Sequence, residues 1–327
     1  MKPLQVAIIV PVLNAESTIG PTLKSLFEQS HKFDQLVIVD DGCRDNSIQI
    51  ANQIISENKE IVRERAINVK IIRHEKPMGL ASSYNDGIRN SESELIVTLH
   101  SDIIIQKNSL EKLLTPFSEM PSSDIVAATH KVIHPLEIWK KYNFWQKCFF
   151  ARLVEKKFSG LDGKFDCFRK SALEKIGLFD ERTFKNAGED GDVVYKLKKI
   201  GKIKKTEAEI IHLHSMDPNF SWHDIVRKQQ QYSESQGILL RLGRIHGVIS
   251  YPKIFFREIL VIGLFIPYAR LISILLIVIY AFLYTKLVFL NEYKNKRIFV
   301  LPFLNIYLLF ISLVYSLRGV IYGKQII

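Results

Sequence analysis

The first hundred residues alternate between short apolar runs and segments in which apolar residues recur at helical spacing. The unbroken apolar run VAIIV is typical of a strand that is buried on both faces. Four runs predict strands: VAIIV (6–10), LVIV (36–39), VKII (69–72) and LIVTL (95–99). Between them, Ile19, Leu23 and Phe27 are spaced four residues apart and predict a helix. This alternation predicts an α/β domain with a mainly parallel sheet flanked by helices.

The pattern changes towards the C-terminus. Residues 271–290 are apolar except for Lys286, and residues 298–317 carry no charge. Each stretch has about the twenty residues that a helix needs to cross a bilayer. We therefore expect a catalytic domain over residues 1–250 and a membrane anchor of about two transmembrane helices over residues 251–327. Because MKPLQVAIIVPVLN does not resemble a signal peptide, we expect a multi-pass membrane protein whose catalytic domain is cytoplasmic.

The charge supports a membrane partner. The 327 residues have a net charge of +11, but no nucleic-acid-binding motif is present. Basic residues precede the apolar stretches, where anionic lipid would attract them: Arg241, Arg244, Lys253 and Arg257. Two spans would, however, place the loop with Lys294, Lys296 and Arg297 outside, against the positive-inside rule.

Polar residues follow two of the predicted strands. Asp40 and Asp41 come after the second strand, and His100-Ser101-Asp102 comes after the fourth. Parallel sheets bind ligands at the carboxyl ends of their strands, although Asp is also a common turn residue. A dinucleotide-binding fold is disfavoured because no glycine follows the first strand before Gly20.

Four segments together resemble glycosyltransferase family 2 on a GT-A fold. They are PVLNAESTI (11–19), VDDGCRDNS (39–47), LHSD (99–102) and GEDGDVVYKLKKIG (188–201). The resemblance covers roughly residues 5–215. It implies transfer of a sugar from a nucleotide-diphosphate donor to an acceptor hydroxyl, with inversion at the sugar carbon.

The resemblance implies a donor site at the ends of the first two strands. Pro11, Leu13 and Glu16 are expected to line the nucleoside pocket. Asp41 is expected to accept a hydrogen bond from the base, while Asp40 supports the turn.

A divalent cation, Mn²⁺ or Mg²⁺, is implied at the end of the fourth strand. The family has an Asp-x-Asp motif there, and this chain keeps only the second carboxylate, Asp102, as the expected metal ligand. His100 either contacts the donor, binds the metal or simply fills the first position. In EIIHLHS (209–215), His212 is preferred to His214 as a second ligand, the alternative being an ordinary histidine at a strand end.

The resemblance places the catalytic base at Asp190, in the pair Glu189-Asp190. A carboxylate near the reacting centre can take the proton of the acceptor hydroxyl. Acidic residues also favour helix N-termini for electrostatic reasons alone. We expect the catalytic role because the other motifs of the set are present.

These features predict an inverting glycosyltransferase that acts on a lipid-linked or surface-glycan acceptor. A processive synthase is disfavoured because RKQQQYSESQG (227–237) lacks the Arg-Trp of the family's processivity motif. One alternative is a polyprenyl-phosphate sugar synthase. Another, suggested by His100, is a catalytically inactive membrane scaffold of the same fold.

Overall fold

The computed structural model describes residues 4–119, 124–185, 187–214, 219–245 and 247–326. The chain forms two compact units. The sheet unit consists of Met1–His134, Glu155–Glu181 and Glu189–Met216. The helical unit consists of Pro135–Val154, Arg182–Gly188 and Asp217–Ile327. The assignment of catalysis to residues 1–250 and of anchoring to the remainder stays a prediction.

Nine strands form one sheet in the sheet unit. They are β1 (Val6–Val12), β2 (Gln35–Asp40), β3 (Asn68–Arg73), β4 (Leu95–Thr98), β5 (Ile103–Ile105), β6 (Ile125–Ile133), β7 (Phe158–Ser159), β8 (Cys167–Arg169) and β9 (Lys202–His212). The order is β3-β2-β1-β4-β8-β6-β9-β5, with β7 beside β6. The first four strands are parallel neighbours, as are β6 and β9. The other pairs are antiparallel, so the predicted α/β class is confirmed and the sheet is mixed.

Fifteen α-helices occur in the described residues. They are α1 (Ile19–Phe27), α2 (Ser47–Glu57), α3 (Lys59–Glu64), α4 (Leu80–Arg89), α5 (Ser109–Glu119), α6 (Leu136–Lys140), α7 (Phe144–Phe150), α8 (Lys170–Lys175), α9 (Glu189–Leu197), α10 (Trp222–Arg241), α11 (Ser250–Ile254), α12 (Phe256–Gly263), α13 (Arg270–Leu283), α14 (Lys286–Asn291) and α15 (Leu301–Tyr322). A 3₁₀ helix, Lys296–Val300, leads directly into α15.

Helices cover both faces of the sheet because the central strands are apolar on both. Side chains alternate across a strand, so Ile8 and Val10 enter one hydrophobic cluster while Ala7 and Ile9 enter another. Tyr84 of α4 lies in the second cluster and is fully buried. Full burial of a large apolar side chain contributes about 1.5–3 kcal/mol. The two clusters hold the strand ends, and the polar residues that follow them, in a fixed arrangement.

The prediction of two membrane spans is not supported. Residues 271–290 do not form one helix, because α13 ends at Leu283 and α14 begins at Lys286. Between them, the Thr285 hydroxyl accepts a hydrogen bond from the Asn305 side chain at 3.0 Å. Among the described residues, only Lys296–Tyr322 is long and apolar enough to cross a membrane, with a mean hydropathy of 2.3. A multi-pass arrangement is therefore not supported.

Candidate active site

The two aspartates at the carboxyl end of β2, Asp40 and Asp41, stabilise different loops. Asp40 accepts a hydrogen bond from the Cys43 N–H at 2.8 Å, which is the turn-supporting role predicted for it. Asp41 is buried, and one of its oxygens lies 2.7 Å from His74 Nδ1. Its carboxylate also accepts the N–H groups of Met78 (2.7 Å) and Gly79 (3.0 Å). Asp41 therefore fixes the loop that follows β3, and its contact with a nucleotide base stays a prediction.

A cleft of about 390 Å³ lies between the turns that follow β2 and β3. Its lining consists of Gly42, Cys43, Arg44, Arg73, His74, Glu75, Lys76 and Pro77. The volume is within the range of small-molecule sites. Three basic side chains, Arg44, Arg73 and Lys76, outnumber the single carboxylate of Glu75. The cleft therefore suits an anionic ligand such as a phosphate ester.

The three remaining residues of the predicted nucleoside pocket lie at the end of β1. Pro11 is in β1 and is paired with Val39 of β2. Leu13 is 45% exposed, which is unusual for a leucine that follows a buried strand. Glu16 accepts a hydrogen bond from the Asn46 N–H at 3.2 Å. An exposed apolar side chain beside polar groups is compatible with a nucleoside contact, and these three roles stay predictions.

Asp102 and His212 lie side by side, although 110 residues separate them in the chain. The antiparallel pairing of β5 with β9 places Ile103 opposite His212. As a result, Asp102 Oδ2 is 3.0 Å from His212 Nε2. Burial alone would raise the pKa of Asp102, but the neighbouring histidines, above all His212, hold it well below its usual value. Asp102 is therefore a carboxylate at pH 7.

Two further histidines, which we group with His212 as the histidine cluster, complete this corner. His134 follows β6, which runs parallel to β9, and His214 follows β9. One ring nitrogen from each of His134, His212 and His214 lies within 4.8 Å of the others. Burial lowers the pKa of His134 to about 4 and that of His214 well below its usual value, so both are neutral at pH 7 and offer a lone pair.

The residues present fit a divalent cation. The Nδ1 atom of His212 is buried and has no hydrogen-bond partner among the described residues. Nitrogen ligands with one carboxylate are better suited to Mn²⁺ than to Mg²⁺, which prefers oxygen. The sequence interpretation included Asp102 and His212 but missed His134. In the sequence, His134 is recognisable only as a histidine at the end of a strand. The sequence does not reveal that β6 lies beside β9.

His100 lies next to the histidine cluster but outside it. Its Nδ1 is 4.0 Å from Asp102 Oδ1, and its ring stacks on Tyr84 with centroids 6.3 Å apart. Burial lowers the pKa of His100 to about 4, so the ring is neutral at pH 7. The structure places His100 directly after β4, and its three alternative roles, donor contact, metal binding and simple replacement, stay predictions.

The pair Glu189-Asp190 begins helix α9, as predicted. Asp190 is partly buried and accepts a hydrogen bond from the Gly191 N–H at 2.7 Å. Burial raises the pKa of both carboxyl groups, and the proximity of Asp190 raises that of Glu189 further. A carboxylate with a raised pKa is a better proton acceptor, which suits a general base.

Lys164 links the two halves of the site. Its ammonium lies 2.7 Å from the Asp162 carboxylate. Its positive charge lowers the pKa of Glu189 and Asp190. The same charge also lowers the pKa of three histidines, namely His100, His134 and His214. A single cation is therefore within electrostatic reach of both the carboxylate pair and the histidine cluster.

The loop that carries Lys164 is held by a buried aspartate. Asp166 is fully buried and accepts the N–H groups of Asp162 (2.9 Å) and Gly163 (2.7 Å). Its other oxygen lies 3.1 Å from His130 Nδ1. Sequence reasoning missed this arrangement because no motif marks it, and it depends on the fold of the loop.

Residues 7–177 match the family model described as glycosyl transferase family 2. The chain belongs to this family. The enzyme is therefore a family 2 glycosyltransferase, and the predicted GT-A fold is confirmed. An uncharacterised glycosyltransferase of Haemophilus influenzae is 34% identical over 109 residues, which is 33% of this chain and 40% of the relative. The poly-β-1,6-N-acetyl-D-glucosamine synthase of Staphylococcus epidermidis is 22% identical over 54% of this chain and 42% of its own length.

The fold is also similar to that of a solved structure. This is the mannosyltransferase PcManGT from Pyrobaculum calidifontis in complex with GDP-Man and Mn²⁺. The TM-score is 0.58 at 13% identity, with 99% of this chain and 89% of that chain covered. At this identity the similarity concerns the fold alone. The chain spans about 40% of the length of the two curated relatives described above, so their activities are not carried over as findings.

Proposed function

We propose that this family 2 glycosyltransferase moves a sugar, with inversion, from a nucleoside-diphosphate donor to a hydroxyl of a lipid-linked or surface-glycan acceptor. One observation carries the proposal. The histidine cluster, which fits a divalent cation, and a carboxylate pair with raised pKa both lie within electrostatic reach of Lys164. A cation to stabilise the leaving group and a carboxylate to remove the proton would thus act at the same site.

The donor side consists of the basic cleft and the histidine cluster. Arg44, Arg73 and Lys76 supply positive charge for a nucleotide. Asp102, with the histidine cluster, would hold the cation. When bound, the cation supplies Lewis-acid stabilisation of the leaving diphosphate. The Mn²⁺ and GDP-Man complex of the mannosyltransferase with a similar fold supports this assignment.

The acceptor side is assigned to Asp190. Its carboxylate takes the proton of the acceptor hydroxyl while the hydroxyl oxygen bonds to the sugar carbon. The bond from that carbon to the diphosphate breaks on the opposite side, which inverts the configuration. Burial favours the neutral form of the carboxyl group, and Lys164 offsets part of that effect. Asp190 is therefore basic enough to accept a proton while it stays ionised over a useful pH range.

Asp190→Asn tests the base. The change keeps the size of the side chain but removes the basic oxygen, so we expect transfer to fall by about 10²–10⁴-fold. Donor affinity should stay the same, because the donor contacts are assigned to other residues. Asp124→Asn changes the same group at an exposed position and is the control. Loss of donor affinity with normal turnover of bound donor would reassign Asp190 to the donor site.

The metal assignment is tested by direct Mn²⁺ binding, measured by calorimetry without donor. Asp102→Ala and His134→Ala should each weaken binding at least about tenfold, because even residues that only support metal ligands contribute that much. His31→Ala removes an exposed histidine and is the control. Equal affinity in all the variants would show that the metal does not bind in this group.

A polyprenyl-phosphate sugar synthase is a second candidate, favoured by Lys164. An ammonium beside the carboxylate pair would attract a phosphate on the acceptor. A phosphate oxygen is already ionised, so its attack needs no general base. With polyprenyl phosphate as acceptor, Asp190→Asn should then retain transfer while Lys164→Met loses it. If the unaltered enzyme does not transfer sugar to polyprenyl phosphate, this second candidate is ruled out.

A further inference from the structure

Helix α15 has one exposed apolar side along its whole length. The side consists of Phe303, Tyr307, Phe310, Val314, Leu317 and Ile321, which are 40–75% exposed. Their spacing alternates between four and three residues, so they form a single stripe. On the other side, Asn305, Ser312 and Ser316 are buried. The helix is apolar in composition, but only one stripe of it is available to lipid.

Helix α10 runs parallel to α15 on its buried side. The Gln229 side chain donates to the Ser312 hydroxyl at 3.3 Å, and the Ser316 hydroxyl donates to the Ser233 carbonyl at 3.2 Å. Further along, the Arg241 guanidinium donates to the Val320 carbonyl at 2.8 Å. α10 also carries Arg227 and Lys228 and is too polar to be a membrane span. If α15 crossed a bilayer, α10 would have to accompany it through the hydrocarbon.

The far end of α15 is bound to the segment that precedes α9. The Gln325 N–H donates to the Thr183 carbonyl at 2.9 Å. The Gln325 side-chain oxygen accepts the N–H groups of Lys185 (2.8 Å) and Ala187 (3.4 Å). Ala187 is two residues before Glu189, where the chain re-enters the sheet unit. Two extended residues span at most about 7 Å.

The near end of α15 lies in the same hydrophobic cluster as α7. Leu301 and Leu304 share a hydrophobic cluster with Phe149 and Phe150. Phe150 is five residues before Glu155, where the chain re-enters the sheet unit. Five extended residues span at most about 18 Å. The two connecting segments, 187–189 and 150–155, are therefore both too short to cross the hydrocarbon core of a bilayer, which is about 30 Å thick.

We propose that α15 lies in the plane of the membrane, with its exposed stripe in one leaflet and both of its ends on the side of the sheet unit. The partner is the surface of an anionic bilayer. Residues 241–327 contain eleven basic and two acidic residues, so they carry nine of the eleven net positive charges. This arrangement keeps Lys294, Lys296 and Arg297 on the same side as the other basic residues, which removes the conflict with the positive-inside rule.

The hairpin formed by α12 and α13 fits the same arrangement. α13 has 14 residues, so it is about 21 Å long and too short to cross the hydrocarbon. It exposes apolar side chains on most of its surface, and the connection to α12 exposes Phe265 and Tyr268 by 73% and 97%. A short apolar hairpin with an exposed apolar tip enters one leaflet and returns.

Cysteine labelling at the two ends of the apolar segment Lys296–Tyr322, which contains α15, decides between an in-plane and a spanning helix. Phe299→Cys and Tyr322→Cys replace exposed residues and are made separately in a Cys43→Ser background, because Cys148 and Cys167 are buried. Sealed inverted and right-side-out membrane vesicles are treated with a membrane-impermeant maleimide. Lys59→Cys, an exposed position on α3 in the same background, reports the side of the sheet unit.

The expected result is that all three cysteines react in the same vesicle orientation. Reaction of the cysteines at positions 299 and 322 in opposite orientations would show a spanning helix and overturn the proposal. Leu317→Glu, within the stripe, should reduce flotation with vesicles of phosphatidylcholine and phosphatidylglycerol severalfold. Unchanged flotation would show that the stripe does not face lipid. Neither measurement needs sugar transfer, so the outcome is independent of the proposed function.

Discussion

At the residue scale, the charge of Lys164 makes Glu189 and Asp190 lose their protons more readily. Its charge lowers the pKa values of Glu189 and Asp190, which burial raises. The carboxylates of Asp162 and Asp166 raise the pKa of Asp190, as burial does. Without Lys164, the pKa of Asp190 is therefore expected to rise.

Lys164→Met tests this effect through the pH dependence of transfer. A base works only when it is ionised, so activity falls as the pH drops through its pKa. In the variant, the acidic limb of the pH profile of kcat/KM should move to higher pH by about one unit, the size of a close ion-pair effect. Lys59→Met removes an exposed lysine and should leave the limb in place. An unshifted limb in Lys164→Met would separate Lys164 from the base.

Individual site residues could be predicted from the sequence only where they belong to a recognisable motif. Asp102, His212 and Asp190 were predicted because each follows a strand or begins a helix within a recognisable segment. His134 and Lys164 belong to the same site but are positioned by the pairing of β6 with β9 and by the loop around Asp166. Neither contact leaves a pattern in the local sequence.

At the element scale, two glycines allow α10 and α15 to approach closely. A Cβ atom on Gly237 would lie 1.9 Å from the Ser316 carbonyl oxygen, and one on Gly319 would lie 2.1 Å from that of Glu234. Both contacts are with backbone, which cannot rotate away as a side chain can. The helices must therefore separate if either glycine gains a side chain.

Gly237→Ala is expected to destabilise the helical unit by about 1–3 kcal/mol, as other overpacked substitutions do. This corresponds to a fall in Tm of roughly 2–10 °C, measured by scanning calorimetry. Gly160→Ala is the matched control, because a Cβ atom there meets no atom within 4 Å. A Gly237→Ala variant as stable as the control would mean that the two helices are not in close contact.

The long elements were predictable and the short ones were not. β1, β2 and β4 match their apolar runs because strands buried on both faces leave an uninterrupted signal. β5 and β8 have three residues each, too few for any periodicity to show. The break between α13 and α14 was missed because hydropathy does not register the hydrogen bond between Thr285 and Asn305.

At the scale of the whole molecule, the charge is distributed unevenly. Since residues 241–327 carry most of the net positive charge, we expect the protein to bind vesicles with phosphatidylglycerol more strongly than vesicles of phosphatidylcholine alone. In 1 M salt the screening length falls to about 3 Å, so the difference between the two lipids should disappear. Flotation assays at 0.1 M and 1 M salt provide the measurement. Equal binding to both vesicles at low salt would show that the basic residues do not contact lipid.

The fold class of the sheet unit was predictable from the sequence, whereas the composition of the helical unit was not. Hydropathy alone suggested that the membrane segment begins after residue 250. In the structure, Pro135–Val154 and Arg182–Gly188 belong to the same compact unit as the C-terminal helices. These segments pack with residues far away in the chain, and such long-range packing is not visible in a local pattern.

The contact between Gln325 and Lys185 also has a consequence for the order of biosynthesis. The two residues are 140 positions apart. At a synthesis rate of about 5–20 residues per second, Gln325 is added roughly 7–28 s after Lys185. During that interval the nascent chain can already form most of the sheet unit, but the segment leading into α9 lacks its hydrogen-bond partner. The segment Arg182–Gly188 therefore acquires these hydrogen bonds only after helices α12 to α15 have been made.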